Sequence, residues 1–451
     1  MIRRGIFKAN DIRGVTEGAS PEWDEAGAYA IGAALVEVLG LRAAEGSLVL
    51  GRDVRLSSPR MSAAFANGVA SQGANVIDIG LASTDELWFA SGHLNLPGAM
   101  FTASHNPGDY NGIKFCLAGA RPIAPEQLTA IADLAVSSVP APHAKPGNRS
   151  EQDLLPAYAE HLHSLVDLSG IRRLIVVVDA GNGMAGHTLP AVLASTNLEL
   201  IGLYTEPDGT FPNHAPNPLE PENLLDASEA VRQRGADLAL VFDGDADRCF
   251  VLDEHGEVVS PSAITAMIAS AELRRRPGAT IVCNKITSRV VREIVQELGG
   301  KIVITRVGHT FVKAAMAEHN AVFGGEHSAH YYFSDFWGAD TGMLAAMHVL
   351  AMAAATNKRL SELVAGFSRY AASGEINSRV EDQQAALERV AKAFTGRGEQ
   401  DHLDGLTIAG PDWWVNVRPS NTEPLLRLNV EAASEADMIA LRDDTLGLIR
   451  A

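Results

Sequence analysis

Short apolar runs that alternate with segments of helical period leave this chain few folds to choose from. Residues 48–51, 75–79 and 99–101 read as buried strands, and residues 22–38 and 59–71 as helices beside them. Strands at 174–178, 199–203 and 238–242 follow, with a crossover helix at 222–234, and then strands at 280–283 and 302–305 flank a helix at 288–298. Alternation of this kind predicts mainly parallel, doubly wound sheets. From about residue 372 the pattern changes to strands at 413–417 and 425–430 before a final helix at 435–449, a smaller α+β arrangement.

The segmentation expected is therefore three successive doubly wound α/β domains, 1–148, 149–256 and 257–369, with a C-terminal α+β domain at 370–451. The first boundary falls in residues 140–148, which carry three prolines and a glycine. A length of 451 residues is too great for one ordinary core. No apolar run reaches the roughly 18 residues of a membrane span, because His348 interrupts the longest candidate, and Met1-Ile2-Arg3-Arg4 leads into no signal region. A cytoplasmic location with no membrane partner is expected.

Cys116, Cys249 and Cys283 are widely spaced and odd in number, which suits reduced, packed thiols. The net charge of -18 argues against nucleic acid as a partner. It also means that any phosphate must be met by locally concentrated arginines and lysines. Both a monomer and a dimer are compatible with the composition.

The strongest chemical signal is Asp243-Gly244-Asp245-Ala246-Asp247-Arg248, directly after the strand at 238–242. Alternate side chains of an extended backbone point the same way, so three carboxylates at this spacing form a hard oxygen cluster suited to Mg²⁺. An EF-hand also begins with alternating aspartates, but Arg248 occupies the place that needs glycine and both flanks read as strand. A solvated acidic turn is less favourable, since three packed carboxylates repel without a cation.

Phe101-Thr102-Ala103-Ser104-His105-Asn106-Pro107 puts a hydroxyl in a turn at a strand end, where open α/β sheets place ligands. Alone, Ser104 reads equally as a serine bonding its own backbone. Gly324-Gly325-Glu326-His327-Ser328-Ala329-His330 offers a carboxylate and hydroxyl for sugar hydroxyls, and Arg306-Val307-Gly308-His309 is a further candidate at a strand end. Arg418-Pro419-Ser420-Asn421-Thr422-Glu423-Pro424, with Arg427 after it, concentrates donors into a phosphate cradle. A competing reading comes from Gly181-Asn182-Gly183-Met184-Ala185-Gly186, a dinucleotide-type glycine turn with Glu206 about 20 residues on.

These loops, in this order and with Lys8-Ala9-Asn10-Asp11-Ile12-Arg13-Gly14 at the start, resemble the α-D-phosphohexomutase family over nearly the whole chain. The resemblance implies four domains around a central cleft. It makes Ser104 a phosphoserine and Asp243, Asp245 and Asp247 the Mg²⁺ ligands, with Ser104 completing the protein's share. Lys114 and His330 would handle protons on the attacking or leaving hydroxyl, and Arg13 and Arg248 would flank the transferring phosphoryl group. Glu326, Ser328 and His309 would hold the sugar, while Lys285, Arg418, Ser420, Asn421, Thr422 and Arg427 would hold phosphate.

The implied reaction interconverts mannose 6-phosphate and mannose 1-phosphate through a hexose 1,6-bisphosphate, which also acts as activator, with glucose phosphates as a second pair. Asn421 stands where glucosamine mutases carry glycine, which favours mannose or glucose. Asn10 replaces a tyrosine common in relatives, and Ala329 a common glycine. A phosphatase using the same serine and a non-catalytic sugar-phosphate sensor are the rival classes; a complete nucleophile, metal and acid/base set favours the mutase.

Overall fold

The computed structural model describes residues 1–451 apart from Glu45, Ser195 and 421–424. The chain divides into two compact units, Met1–Val259 with Ser328–Ser361, and Ser260–His327 with Glu362–Ala451.

The first unit opens with a sheet whose strands lie in the order Ile12–Val15, Tyr110–Leu117, Gly98–Phe101, Ser47–Arg52, Asn75–Leu81, Arg149–Glu151. The last three are parallel to Gly98–Phe101 and to one another, as the alternation predicts. Tyr110–Leu117 instead runs antiparallel to both of its neighbours, Gly98–Phe101 and Ile12–Val15. The reason is connection length: a parallel return needs a crossover of a dozen or more residues, and the chain turns straight back between Phe101 and Tyr110. Arg149–Glu151 pairs with Asn75–Leu81, so the chain rejoins this sheet just past the proline-rich stretch.

Helices Glu25–Leu39 and Ser58–Ser71 cover this sheet, burying Ile31, Leu35, Phe65 and Val69 against Leu50, Phe101 and Ile113. Asp24 caps the first of them by accepting from Gly27 N–H, and Gly40 at φ 66° ends it.

A second sheet in the same unit has the order Val258–Val259, Cys249–Leu252, Leu238–Phe242, Leu174–Asp179, Leu198–Leu203. Its inner three strands are again split by a tight return, with Leu238–Phe242 parallel to Leu174–Asp179 and antiparallel to Cys249–Leu252. The three cysteines are buried thiols. Further along, the short hairpin Tyr331–Phe333 with Ala339–Asp340 leads into the apolar helix Gly342–Ala354, which Thr341 caps.

In the second unit, Thr280–Asn284 lies parallel between Lys301–Thr305 and Phe323–Gly325. The C-terminal part is an antiparallel sheet in the order Ala371–Arg379, Leu425–Ala432, Trp413–Pro419, Leu406–Ala409, Glu399–Asp401. Helices Gln383–Ala393 and Glu435–Arg450 contribute Val390 and Leu441 to the core over Val415, Val417, Leu426 and Leu428. This is the α+β arrangement expected for the end of the chain. No helix among the described residues is long and apolar enough to cross a membrane.

Candidate active site

The Ser104 loop and the aspartate loop of the first unit are both tight returns just described, and that brings them together. Ser104 lies between Phe101 and Tyr110, and Asp243 to Arg248 lie between Phe242 and Cys249. Ser104 Oγ donates to Asp243 Oδ2 at 2.9 Å and accepts from Arg248 Nη2 at 3.1 Å. His105 Nδ1 is 3.2 Å from the same hydroxyl.

Such proximity needs a bare backbone on one side. A Cβ on Gly244 would stand 2.5 Å from Ser104 O, and one on Gly183 would stand 2.6 Å from Gly244 O. The glycine turn that resembles a dinucleotide loop thus serves the approach of its own neighbour, with Met184 N–H donating to Gly244 O at 2.9 Å.

Ser104 itself is in the left-handed region at φ 51°. Thr102 Oγ1 accepts from its N–H, and Arg55 holds the turn from beneath. The guanidinium of Arg55 is fully buried and donates to the carbonyls of Ser104 and Asn106 at 2.7 Å each, and to Tyr110 O at 3.0 Å. Asp53 Oδ2 in turn accepts from Arg55 Nε at 3.0 Å.

Asp243, Asp245 and Asp247 are all buried, and one oxygen from each lies within 4.8 Å of the others. Lys114 Nζ donates to Asp245 Oδ2 at 2.7 Å and to Asp247 Oδ2 at 2.5 Å, and Thr84 Oγ1 donates to Asp245 Oδ2 at 2.6 Å. Arg248 Nη2 pairs with Asp243 at 2.7 Å. The remaining oxygens, Asp245 Oδ1 and Asp247 Oδ1, are buried without a partner. Two orphaned carboxylate oxygens beside a third carboxylate form the donor set of a hard cation, so these residues fit a metal.

Charge is distributed unevenly across the cluster. Burial pushes the Asp247 carboxyl up to about 6, with Asp245 adding to the effect. Burial also works against ionisation of Asp245, but the Lys114 ammonium outweighs it and holds that carboxyl well below the usual range. Lys114 is correspondingly held as an ammonium, since the aspartates overcome its desolvation.

His330 stands 3.8 Å from Asp247 Oδ1 and 4.0 Å from Asp340 Oδ2, with Nδ1 at 3.1 Å from Ser328 Oγ. Desolvation lowers its imidazole to about 4 against those two carboxylates, so the ring is neutral near pH 7. Arg13 reaches Asn106 Oδ1 and Asp11 Oδ2, both at 2.7 Å. Ala329, in the place where relatives often have glycine, is left-handed at φ 64°, which gives that preference its physical reason.

The second unit carries the remaining candidates. Glu326 follows Phe323–Gly325 and accepts from Asn284 Nδ2 at 2.9 Å and Gly308 N–H at 3.3 Å, while His309 begins the helix His309–Glu318. Lys285 is paired with Asp401. Arg418 and Arg427 are direct cross-strand partners, and both bind Glu375, Arg427 Nη1 at 2.9 Å. Arg427 Nη2 also reaches Ser420 Oγ at 3.5 Å. Asn421 and Thr422 lie outside the described residues.

Arg55, Thr84 and Glu375 have no counterpart among the residues singled out from sequence. Arg52-Asp53-Val54-Arg55, a charged turn at a strand end of an acidic chain, is the signal that could have found the first.

Residues 4–138, 156–256, 260–370 and 375–448 match the phosphoglucomutase/phosphomannomutase families described as alpha/beta/alpha domains I, II and III and the C-terminal domain. The chain is 40% identical over 443 residues, 97% of each chain, to a protein of Xanthomonas campestris pv. campestris described as phosphohexose mutases. It is 39% identical over 457 residues, 99% of each chain, to a phosphomannomutase of Escherichia coli strain K12. A crystal structure of a phosphoglucomutase/phosphomannomutase family protein from Burkholderia thailandensis aligns at a TM-score of 0.90 and 32% identity, covering 100% of this chain and 98% of that one.

Proposed function

Because the chain belongs to the phosphoglucomutase/phosphomannomutase family of intramolecular phosphotransferases, we propose that it interconverts mannose 6-phosphate and mannose 1-phosphate, with glucose phosphates as a second pair. Ser104 carries the phosphoryl group and a hexose 1,6-bisphosphate is the intermediate. The observation that carries this reading is the Ser104 hydroxyl bonded at once to Asp243 Oδ2 and Arg248 Nη2 beside a buried carboxylate cluster.

In the first half-reaction the Ser104 Oγ–P bond breaks and a P–O bond forms to the sugar hydroxyl. The proton of that hydroxyl goes to His330 Nε2, for which the neutral ring is suited when Nδ1–H donates to Ser328 Oγ. Asp247 and Asp340 face the imidazolium so formed. Lys114, kept as an ammonium, is the matching donor for the departing serine oxygen. Arg248 and Arg13 spread the charge of the phosphoryl group, and the intermediate reverses so that its other phosphate returns to Ser104.

Asp243, Asp245 and Asp247 would hold Mg²⁺ through oxygens that include the orphaned Oδ1 atoms. Bound there, the ion neutralises negative charge shared by the aspartates and a phosphoserine.

Glu326 and His309 in the second unit and Ser328 in the first are each assigned to sugar hydroxyls. Arg418, Arg427, Ser420, Asn421, Thr422 and Lys285 bind the phosphate that does not react. Arg418 donates to Glu375 Oε2 and Arg427 to Oε1, so the two arginines share one carboxylate, as a phosphate would require. A small hexose phosphate as ligand accords with the paired arginines Arg418 and Arg427, and the want of a nucleic-acid partner accords with the charge of -18; a cytoplasmic location is part of the same proposal. Domain limits of 1–148, 149–256, 257–369 and 370–451 complete the proposal.

A parallel assay with mannose 1-phosphate, glucose 1-phosphate and glucosamine 1-phosphate, primed with a hexose 1,6-bisphosphate, tests the reading. Turnover should be fastest with mannose, slower with glucose and least with glucosamine. Inorganic phosphate released as fast as sugar is isomerised would replace the mutase with a phosphatase.

A further inference from the structure

Away from the residues of the phosphoryl chemistry, the first unit contains a cavity of ≈ 570 Å³ lined by Arg52, Asp78, Glu86, Arg149, Asp153 and His187 among others. That volume is in the range of small-molecule sites. Two groups on its wall, one acidic and one basic, each have a polar atom left unsatisfied by the protein.

Glu86 is the first. It lies in the opening turn of the helix Thr84–Leu94, where Ser83 Oγ accepts from its N–H at 3.2 Å and the Ser83 backbone N–H returns a bond to one carboxyl oxygen. The capping arrangement explains that oxygen only. Oε2 has no partner although the residue is 1% exposed. Leaving such a buried atom unpaired is costly, so it calls for an occupant. Burial raises the carboxyl to about 8, and the negative charges of Asp85 and Asp153 add to the rise, so the local field favours a cation.

Arg52 is the second. Its Nε is buried without a hydrogen-bond partner among the described residues, and the ion-pair neighbour Asp78 is 3.9 Å from Nη1, outside hydrogen-bond range. Asp78 is already occupied, with Oδ2 accepting from Arg149 Nη2 at 2.6 Å and Oδ1 from Gly80 N–H at 2.9 Å. Burial lowers the His187 imidazole from its ordinary value, against the opposing effects of Asp153 and of a hydrogen bond with the Leu81 backbone.

A metal ion does not meet this demand. Among the described residues, the groups whose ligand atoms converge within 4.8 Å do not include Glu86, Asp153 or His187. A ligand with one charge would satisfy one wall and leave the other. We propose that the cavity binds a small zwitterion, its ammonium group received by Glu86 and Asp153 and its acidic group by Arg52.

The test is isothermal titration of the full chain with glycine, β-alanine, 4-aminobutyrate and 6-aminohexanoate, which space the two charges progressively. Butylammonium chloride and sodium butyrate serve as single-charge controls. One member of the series should saturate at least about tenfold more tightly than either control. Glu86→Gln, which keeps the shape of the neutral acid, and Arg52→Gln should each weaken that binding about tenfold or more, and the exposed Asp153→Asn should weaken it less. No member binding more tightly than the controls would overturn the proposal, and so would an affinity that survives Glu86→Gln and Asp153→Asn in folded protein.

Discussion

Arg55 Nη2 donates to the carbonyl oxygen of Ser104 at 2.7 Å, so the proposed nucleophile is held through its backbone by a guanidinium that never touches its hydroxyl. Removing that guanidinium leaves Asp53 buried and unpaired as well as freeing the turn. Arg55→Met should destabilise the protein by about 3–5 kcal/mol and lower kcat at least tenfold. Denaturant unfolding and steady-state turnover read the two effects, and an unchanged midpoint with full activity would rule the clamp out.

Gly244→Ala tests the close approach of the two loops. The added Cβ would sit 2.5 Å from Ser104 O, so one loop must move. A displacement of that size at a reacting atom can cost about 100-fold in rate, and kcat should fall by that order while the thermal midpoint drops only a few degrees. Normal kcat would mean that the separation of the loops does not matter.

Thr84 donates to Asp245 Oδ2 at 2.6 Å from outside the carboxylate cluster. Partners of this kind orient metal ligands, and their loss typically weakens metal binding about 10–100-fold. Thr84→Val should show that loss in Mg²⁺ titrations, and Asp245→Asn a larger one. Chelation of the metal should stop turnover in the wild type. Equal Mg²⁺ affinity in all three proteins would count against the assignment of the cluster.

Glu375 occupies the two arginines that are proposed to take substrate phosphate. Neutralising it in Glu375→Gln removes a competing anion, so KM for hexose phosphate should fall about threefold or more, with tighter inhibition by inorganic phosphate. A rise in both constants would show that Glu375 orients the arginines rather than competing with ligand.

The buried Glu86 carboxyl gives stability a defined pH slope. Its folded value of about 8 lies above the ordinary 4.5, so between those limits the unfolded chain has released a proton that the folded protein keeps. Its contribution is therefore fully present below about pH 4.5 and is lost as pH rises through about 8. Glu86→Gln should melt near the wild-type temperature at pH 4.5 and above it at pH 8. A constant difference across that range would remove the buried-acid assignment.

Much of this arrangement is legible in the residues. The strand Leu238–Phe242 is bounded as its apolar run predicts, because it is buried along its whole length and Asp243 ends it abruptly. Ile12–Val15 is harder to see, since Arg13 and Gly14 interrupt its hydrophobic signal. Ala371–Arg379 is an exposed edge strand with a bulge, and its polar composition resembles a loop. The sheets are mixed: beside the parallel strands that the alternation predicts, Tyr110–Leu117 and Cys249–Leu252 pair antiparallel at short returns. Within the site, Ser104 and the aspartates announce themselves as local motifs. Arg55, Thr84 and Glu375 act across long sequence separations, and a single sequence carries no mark of which distant group each will meet.

The chain passes between its two compact units at Val259/Ser260, His327/Ser328 and Ser361/Glu362, and the second passage cuts through the loop from Gly324 to His330. Glu326 therefore belongs to one unit and His330 to the other. No single recombination point in the gene could exchange the unit that bears Glu326, Arg418 and Arg427 without also severing the segment that bears Ser328 and His330. On the proposed roles, exchanging Glu326, Arg418 and Arg427 while keeping Ser328 and His330 takes a break at each of the three passages.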